Sequence, residues 1–136
     1  MILLDANVIL DVWDRDPVWY AWSRDQMRQL SFADDLAINP IVYAEISARF
    51  ATSSALDNKL ENLGVIVERI PRRAAFLAGK AFVQYRRQRG TKSNVLPDFF
   101  IGAHAVVLEC PLLTRDTRRN AAYFPAVRLI APPQIC

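Results

Sequence analysis

Cysteine, histidine and long apolar runs are all scarce in this chain, and each shortage closes off a class of protein. The two cysteines, Cys110 and Cys136, have no Cys or His neighbours at metal-binding spacing, so a thiolate metal site is not expected and both thiols should be reduced. The single histidine, His104, is the only imidazole available for general-base chemistry. No apolar run approaches the ~20 residues needed to span a bilayer, and Asp5 interrupts the opening run before it could serve as a signal peptide. A cytoplasmic protein with no membrane association is therefore expected. Internal repeats, low-complexity tracts and linkers are also missing, which favours one domain over residues 1–136.

What is present supports a packed core. Apolar residues make up 52% of the 136 positions and charged residues 23%, the balance of a globular chain and not of a disordered one. A chain of this size buries roughly two-thirds of its unfolded surface. The net charge, 17 − 14 = +3, says little, but its distribution is uneven. Between Arg69 and Pro97 lie Arg69, Arg72, Arg73, Lys80, Arg86, Arg87, Arg89 and Lys92 with no acid, whereas the first third is dominated by Asp. That asymmetry suggests an anionic partner near an acidic pocket.

Taken in order, apolar strands alternate with helices. Ile2-Leu3-Leu4 reads as a buried strand with Asp5 at its carboxyl end, where open α/β sheets keep their chemistry. Asp5 is equally suited to cap the helix that follows, as is Asn7. Asp16-Pro17 restarts a second helix to about Leu30, whose Trp19 and Trp22, with Trp13, are either core or a groove for a partner. Leu36-Ala37-Ile38 is a second strand, and a helix from Pro40 to about Phe50 follows. There Ile41, Ala44, Glu45 and Ala48 share one face, placing Glu45 on an apolar stripe. Such a carboxylate needs a partner: Arg49, four residues on, or a metal.

Ser53 to Leu63 is a further helix, Val65-Ile66-Val67 a strand, and Pro71 to about Arg89 a helix with Ala75, Ala78, Gly79, Phe82 and Val83 inward. Arg86, Arg87 and Arg89 suit its carboxyl end by complementing the helix dipole, and they also suit nucleic acid. Leu96-Pro97-Asp98 opens a strongly apolar helix to about Glu109, with Asp98, Gly102 and Ala105 on one face. Pro111 to Thr114 then repeats the opening pattern, a strand followed by Arg115-Asp116, and Val127 to Ile130 is the last strand. The alternation predicts a three-layer α/β/α sandwich around a parallel sheet of about five strands.

Two acids at strand ends and two on helices suit hard divalent ions, which prefer carboxylates and can activate water for phosphoryl chemistry. Spacing alone does not prove that they meet. The runs Leu4-Asp5-Ala6-Asn7-Val8, Tyr43-Ala44-Glu45, Leu96-Pro97-Asp98-Phe99-Phe100-Ile101-Gly102-Ala103-His104-Ala105 and Leu113-Thr114-Arg115-Asp116 resemble the ordered acidic motifs of PIN-domain proteins. Within that family the chain is similar to the VapC-type ribonuclease toxins of toxin–antitoxin pairs, along essentially its whole length.

The resemblance implies a Mg²⁺- or Mn²⁺-dependent endoribonuclease with Asp5, Glu45, Asp98 and Asp116 as its acids. Asp5 and Asp98 would be the chief metal ligands, and Asn7 and Thr114 would orient carboxylates. It also implies homodimers and neutralisation by a small antitoxin that binds promoter DNA. One departure stands out: family members often carry an aromatic residue a few positions after the last motif Asp, where this chain has Asn120, with Tyr123 and Phe124 later.

On this reading Arg115, Arg118 and the Arg86, Arg87, Arg89 cluster would hold the RNA backbone, with single-stranded or looped RNA as the target. His104, six positions after Asp98, points about 120° away from it on the helix, so a core or dimer-facing role is expected. The competing reading is a non-catalytic PIN-like module that binds a protein or nucleic-acid partner. A small phosphatase is disfavoured because the second Asp it needs two residues after the nucleophile is Asn7 here.

Overall fold

The computed structural model describes residues 1–88, 90–91 and 95–133; Arg89, Lys92 and Cys136 fall outside the described residues. Five strands, β1 (Ile2–Leu4), β2 (Leu36–Ile38), β3 (Val65–Val67), β4 (Leu112–Leu113) and β5 (Leu129–Ile130), form one sheet in the order β3-β2-β1-β4-β5. Every pairing is parallel. Helices α1 (Ala6–Trp13), α2 (Tyr20–Ala33), α3 (Pro40–Ser47), α4 (Ser53–Leu63), α5 (Arg72–Arg87), α6 (Leu96–Leu108) and α7 (Arg118–Tyr123) flank the sheet, giving the α/β/α sandwich that the alternation predicts. Among the described residues no helix is long and apolar enough to cross a membrane.

The inner strands β1, β2 and β4 are short and wholly apolar because they are covered on both faces, whereas Ile66 and Val67 of the edge strand β3 are exposed. Leu3, Leu4, Ala37, Ile38, Leu112 and Leu113 are all buried. β1 is the central strand: the chain winds outward from it through β2 to β3, then returns to its other side through β4 and β5. The order of connection reverses between β1 and β4, and in open parallel sheets the crevice at the carboxyl ends of such strands is where ligands bind.

Local signals end the helices where the topology needs them to end. Asn39 follows β2 and caps α3, its Oδ1 accepting from the Val42 amide at 3.0 Å. Thr52 caps α4 through the Ala55 amide at 3.2 Å, and Gly64, at φ 72°, closes it in the left-handed conformation so that β3 starts at once. Asp16 accepts from the Val18 and Trp19 amides at 2.9 Å each, a tight turn that delays α2 to Tyr20, later than Asp16-Pro17 suggests.

Two helices are rotated about their axes relative to the sequence expectation. On α3 the buried positions are Val42 and Ile46, while Ala44, Glu45 and Ala48 are exposed. On α5 the buried face is Ala74, Ala78 and Ala81, whereas Ala75 and Val83 are exposed. Both helices carry two adjacent apolar stripes, and close packing selects between them: α5 lays its small alanine face on α6, its most extensive helix partner.

His104, fully buried on α6, faces Asn39 with its Nδ1 3.3 Å from the Asn39 Nδ2. The Asn39 Oδ1 is already occupied by the Val42 amide, so Nδ2 donates to Nδ1 and the imidazole proton sits on Nε2. Burial lowers the His104 pKa, with the charge of Glu68 partly opposing, and the ring is a neutral tie between α6 and the start of α3. This is the core role expected of it.

The departure at Asn120 is resolved by packing. Asn120 is buried and its Nδ2 donates to the Asp116 carbonyl at 3.0 Å, bracing the segment after β4. Phe124 and Tyr123 close on Phe99 with ring centroids 6.1 and 5.1 Å away. Gly102 lies directly beneath this cluster: a Cβ there would come within 2.4 Å of the Phe124 ring and 2.8 Å of the Asn120 Oδ1. Gly102→Ala should therefore destabilise the protein by about 1–3 kcal/mol through overpacking, read as the chemical-denaturation midpoint. An unchanged midpoint would show that α6 and α7 do not depend on this close approach.

Candidate active site

Register brings the first two site residues together. Leu3 pairs with Leu112 and Leu4 with Leu113, and the ladder continues one step further, the Asp5 amide donating to the Leu113 carbonyl at 3.0 Å. Asp5 and Thr114 thus leave the sheet side by side, and the Thr114 hydroxyl donates to Asp5 Oδ2 at 2.8 Å. The other oxygen of Asp5 accepts from the Ala6 amide at 2.7 Å, at the start of α1. The cap and the site residue are one group: one oxygen holds the helix and the other faces β4.

Asn7 and Thr114 complete a small polar frame. Asn7 Nδ2 lies 3.4 Å from both Asp5 Oδ2 and Thr114 Oγ1, and its Oδ1 accepts from the Arg115 amide at 3.3 Å. Thr114 Oγ1 also accepts from the Asp116 amide at 2.9 Å. One buried hydroxyl therefore links the Asp5 carboxylate to the backbone that carries Asp116.

Asp98 enters from the first turn of α6, after Pro97, and Glu45 from α3. Their charges are felt together. Burial raises the Asp5 pKa to about 6, with Asp98 and Asp116 adding to the rise and the Thr114 and Ala6 hydrogen bonds opposing it. Glu45 is pushed up to about 7, first by partial burial of its carboxyl and then by Asp5 and Asp98, although the side chain as a whole stays exposed. Asp98 is also raised by burial and by Asp116, against the pull of Arg119. Acids from β1, α3, α6 and the segment after β4 thus form one field with too little positive charge.

Such an oxygen-rich, under-compensated set has the chemistry to take a hard divalent cation. The side chains are not drawn up around one point, however. Among the described residues no three acidic, His or Cys side chains are gathered closely enough to hold an ion. Asp98 and Asp116 are instead spanned by Arg119, whose Nη1 ion-pairs with Asp98 Oδ2 and lies 3.6 Å from Asp116 Oδ2. Arg119 is absent from the sequence expectation. Its spacing of three from Asp116 is the signal that could have found it.

The basic residues expected at the RNA fare differently from the acids. Arg115 does not reach toward the cleft: its Nε and Nη2 bond both oxygens of buried Asp11 at 2.7 and 2.8 Å, and its guanidinium lies over the Trp19 ring at 5.3 Å. The Ser23 hydroxyl donates to the same Asp11 at 2.7 Å, so this cluster ties β4 to α1 and α2. Asp11 sits three residues after Val8, on the inward stripe of α1, and needed such a partner. Arg49 pairs with Asp14 at 2.5 Å, so the expected exchange with Glu45 is not made. Arg118, Arg86 and Arg87 are exposed, and Arg89 lies outside the described residues.

Of the tryptophans, Trp13 packs edge-on against Phe50 at 5.4 Å and Trp19 against Trp22 at 6.3 Å. All three are half-buried, which assigns most of their surface to packing.

The raised carboxyl pKa values set a pH dependence with a definite sign. In the folded, metal-free protein Asp5 and Glu45 keep protons that the unfolded chain has released, so both oppose folding increasingly as pH rises from about 4 to about 7. Glu45→Gln should therefore raise the melting temperature at pH 8 and leave it nearly unchanged at pH 4.5, where Glu45 is neutral anyway. Comparing variant with wild type cancels the opposite contribution of His104, which weakens the fold on acidification. Parallel melting curves at both pH values would contradict the coupling of Glu45 to the other acids.

Comparison with known proteins bears on the whole of this arrangement. No curated protein matches the chain. The family model for the PIN domain matches residues 2–125. Among solved structures, a chain of VapBC2 from Rickettsia felis bound to a DNA fragment from the promoter is similar at TM-score 0.70 and 19% identity, over 96% of this chain and 98% of that one. VapBC-1 from nontypeable Haemophilus influenzae follows at TM-score 0.68 and 21% identity, over 96% and 98%, and FitAcB from Neisseria gonorrhoeae at 0.62 and 23%, over 95% and 96%. At these identities the likeness speaks for the fold. With a family match over nearly its full length, and with acids brought to the β1–β4 crevice of that fold, the chain belongs to the PIN-domain family.

Proposed function

We propose that this chain is the toxin of a toxin–antitoxin pair, a Mg²⁺- or Mn²⁺-dependent endoribonuclease that hydrolyses RNA phosphodiester bonds. PIN domains are in general nucleases. The observation that carries the reading is the shared electrostatic field of Asp5, Glu45, Asp98 and Asp116 at the crevice between β1 and β4. Isolated structural acids do not raise one another's pKa in a cleft. The similarity to VapBC and FitAcB supports a cognate antitoxin as partner and promoter DNA as a target of the pair; DNA contact through the antitoxin and a homodimer are part of the proposal.

In this mechanism Asp5 and Asp98 would be the principal ligands of the ion, with Glu45 and Asp116 completing the site. When bound, the divalent ion supplies Lewis-acid activation of water and stabilises charge on the phosphate. The chain's own residues do the positioning. Thr114 and the Ala6 amide fix both oxygens of Asp5, and Asn120 and Thr114 hold the backbone of Asp116. Glu45, protonated in part near neutral pH, gives up its proton when positive charge enters the field. Arg118, Arg86 and Arg87, all exposed, would meet the backbone of single-stranded RNA.

A second reading, a PIN-like module that binds a protein or nucleic-acid partner without catalysis, is favoured by one observation: Arg119 already sits on Asp98. Mn²⁺ titration by calorimetry separates the two, since a binding-only module would not take up the ion. Asp98→Asn should abolish metal-dependent cleavage of single-stranded RNA and growth inhibition, with an unchanged circular-dichroism spectrum. Thr114→Val should lower the rate about 10–100-fold by loosening Asp5. Metal-dependent cleavage by Asp98→Asn at the wild-type rate would overturn the assignment.

A further inference from the structure

Arg119 stands between two of the acids. It lies on α7, six residues long, whose place is set independently of the guanidinium: Asn120 bonds the Asp116 carbonyl, and Tyr123 and Phe124 pack on Phe99. The backbone of Arg119 is therefore anchored beside the crevice whether or not its side chain is engaged. The side chain is then spent on two of the four acids, Asp98 and Asp116, which the proposed reaction needs for a metal ion.

Three physical facts define what this contact can do. A guanidinium keeps its charge at any working pH, so it cannot leave Asp98 by losing a proton. It is about a quarter exposed, so it can swing out without disturbing the core. And its planar fork matches a phosphate as well as it matches a carboxylate, giving two parallel hydrogen bonds to either. A divalent ion bound at the same oxygen of Asp98 would repel it, while a phosphodiester arriving with the RNA would attract it.

We infer that Arg119 is a resident counter-ion: it bridges Asp98 and Asp116 while the site is free of metal, and it passes from the carboxylates to the RNA phosphate when a divalent ion takes its place. Asp98 and Asp116 are thereby kept within reach of one another before the ion arrives, and the ion must displace a cation to bind. The residue thus tunes metal affinity downward and substrate affinity upward, through one side chain with two alternative anions. This rests on the nuclease reading, which it extends by assigning a substrate-binding role to a residue between the acids.

Calorimetric titration of Mn²⁺ into wild type, Arg119→Gln and Arg119→Lys tests it without any need for turnover. Removing the competing charge should tighten Mn²⁺ binding by Arg119→Gln about tenfold. Arg119→Lys keeps the charge and should bind Mn²⁺ close to the wild-type affinity. With a short single-stranded RNA and saturating Mn²⁺, both variants should show a raised KM, because neither offers the fork, while kcat changes less. Equal or weaker Mn²⁺ binding by Arg119→Gln, with binding intact in wild type, overturns this inference and leaves the nuclease reading standing. Failure of all three proteins to bind Mn²⁺ overturns both.

Discussion

Carboxylates repel one another, and this molecule brings four of them into one electrostatic field, though not around one point, because β1 is clamped between β2 and β4. The parallel register obliges Asp5 and Thr114 to leave the sheet together, and it brings the segment carrying Asp116 to the same edge. α6 and α3 then deliver Asp98 and Glu45 from the flanking layers. Burial and mutual repulsion hold the protons of Asp5 and Glu45 far above ordinary carboxyl pKa values. The folded state is thus electrostatically unsatisfied at its crevice, and a cation is the natural relief. In the structure that relief is partial and comes from Arg119.

The remainder of the scaffold can sustain this stress because buried Asp11 and Asn39 are paired, although Trp13 Nε1 and His104 Nε2 are buried without a hydrogen-bond partner among the described residues. Asp11 is satisfied by Arg115 and Ser23, and Asn39 by the Val42 amide and His104. Each set joins elements distant in sequence, β4 to α1 and α2 in the first case, β2 and α3 to α6 in the second. These ties fix the relative positions of the strands and helices that bear the acids. Removing one partner of a buried ion pair strands the other, so such ties resist drift. The aromatic cluster of Phe99, Tyr123 and Phe124 above Gly102 does the same for α7 by close packing.

Which parts of this were legible beforehand follows from how local each cause is. Strand and helix identity came through well because apolar runs, caps and Gly64 act within a few residues. Helix rotation did not. α3 and α5 each carry two adjacent apolar stripes of similar breadth, and the choice between Val42/Ile46 and Ile41/Ala44, or between Ala74/Ala78/Ala81 and Ala75/Phe82, depends on what lies opposite. The fates of the arginines were hidden for the same reason: Arg115 turns to a buried Asp11 more than a hundred residues away, while Arg119, unremarkable in a basic run, lands between two acids.

By itself, the sequence determined the alternation of strands and helices and the parallel sheet, and it put Asp5 after a strand and Asp98 in a first helical turn, since these depend on local propensity, periodicity and capping. Only the tertiary structure decided that β4 lies beside β1, that one oxygen of Asp5 caps α1 while the other meets Thr114, and which cation faces Asp98. Those outcomes depend on register and on long-range charge pairing, and both are settled only when segments far apart in the chain compete for the same partners in a crevice of low dielectric.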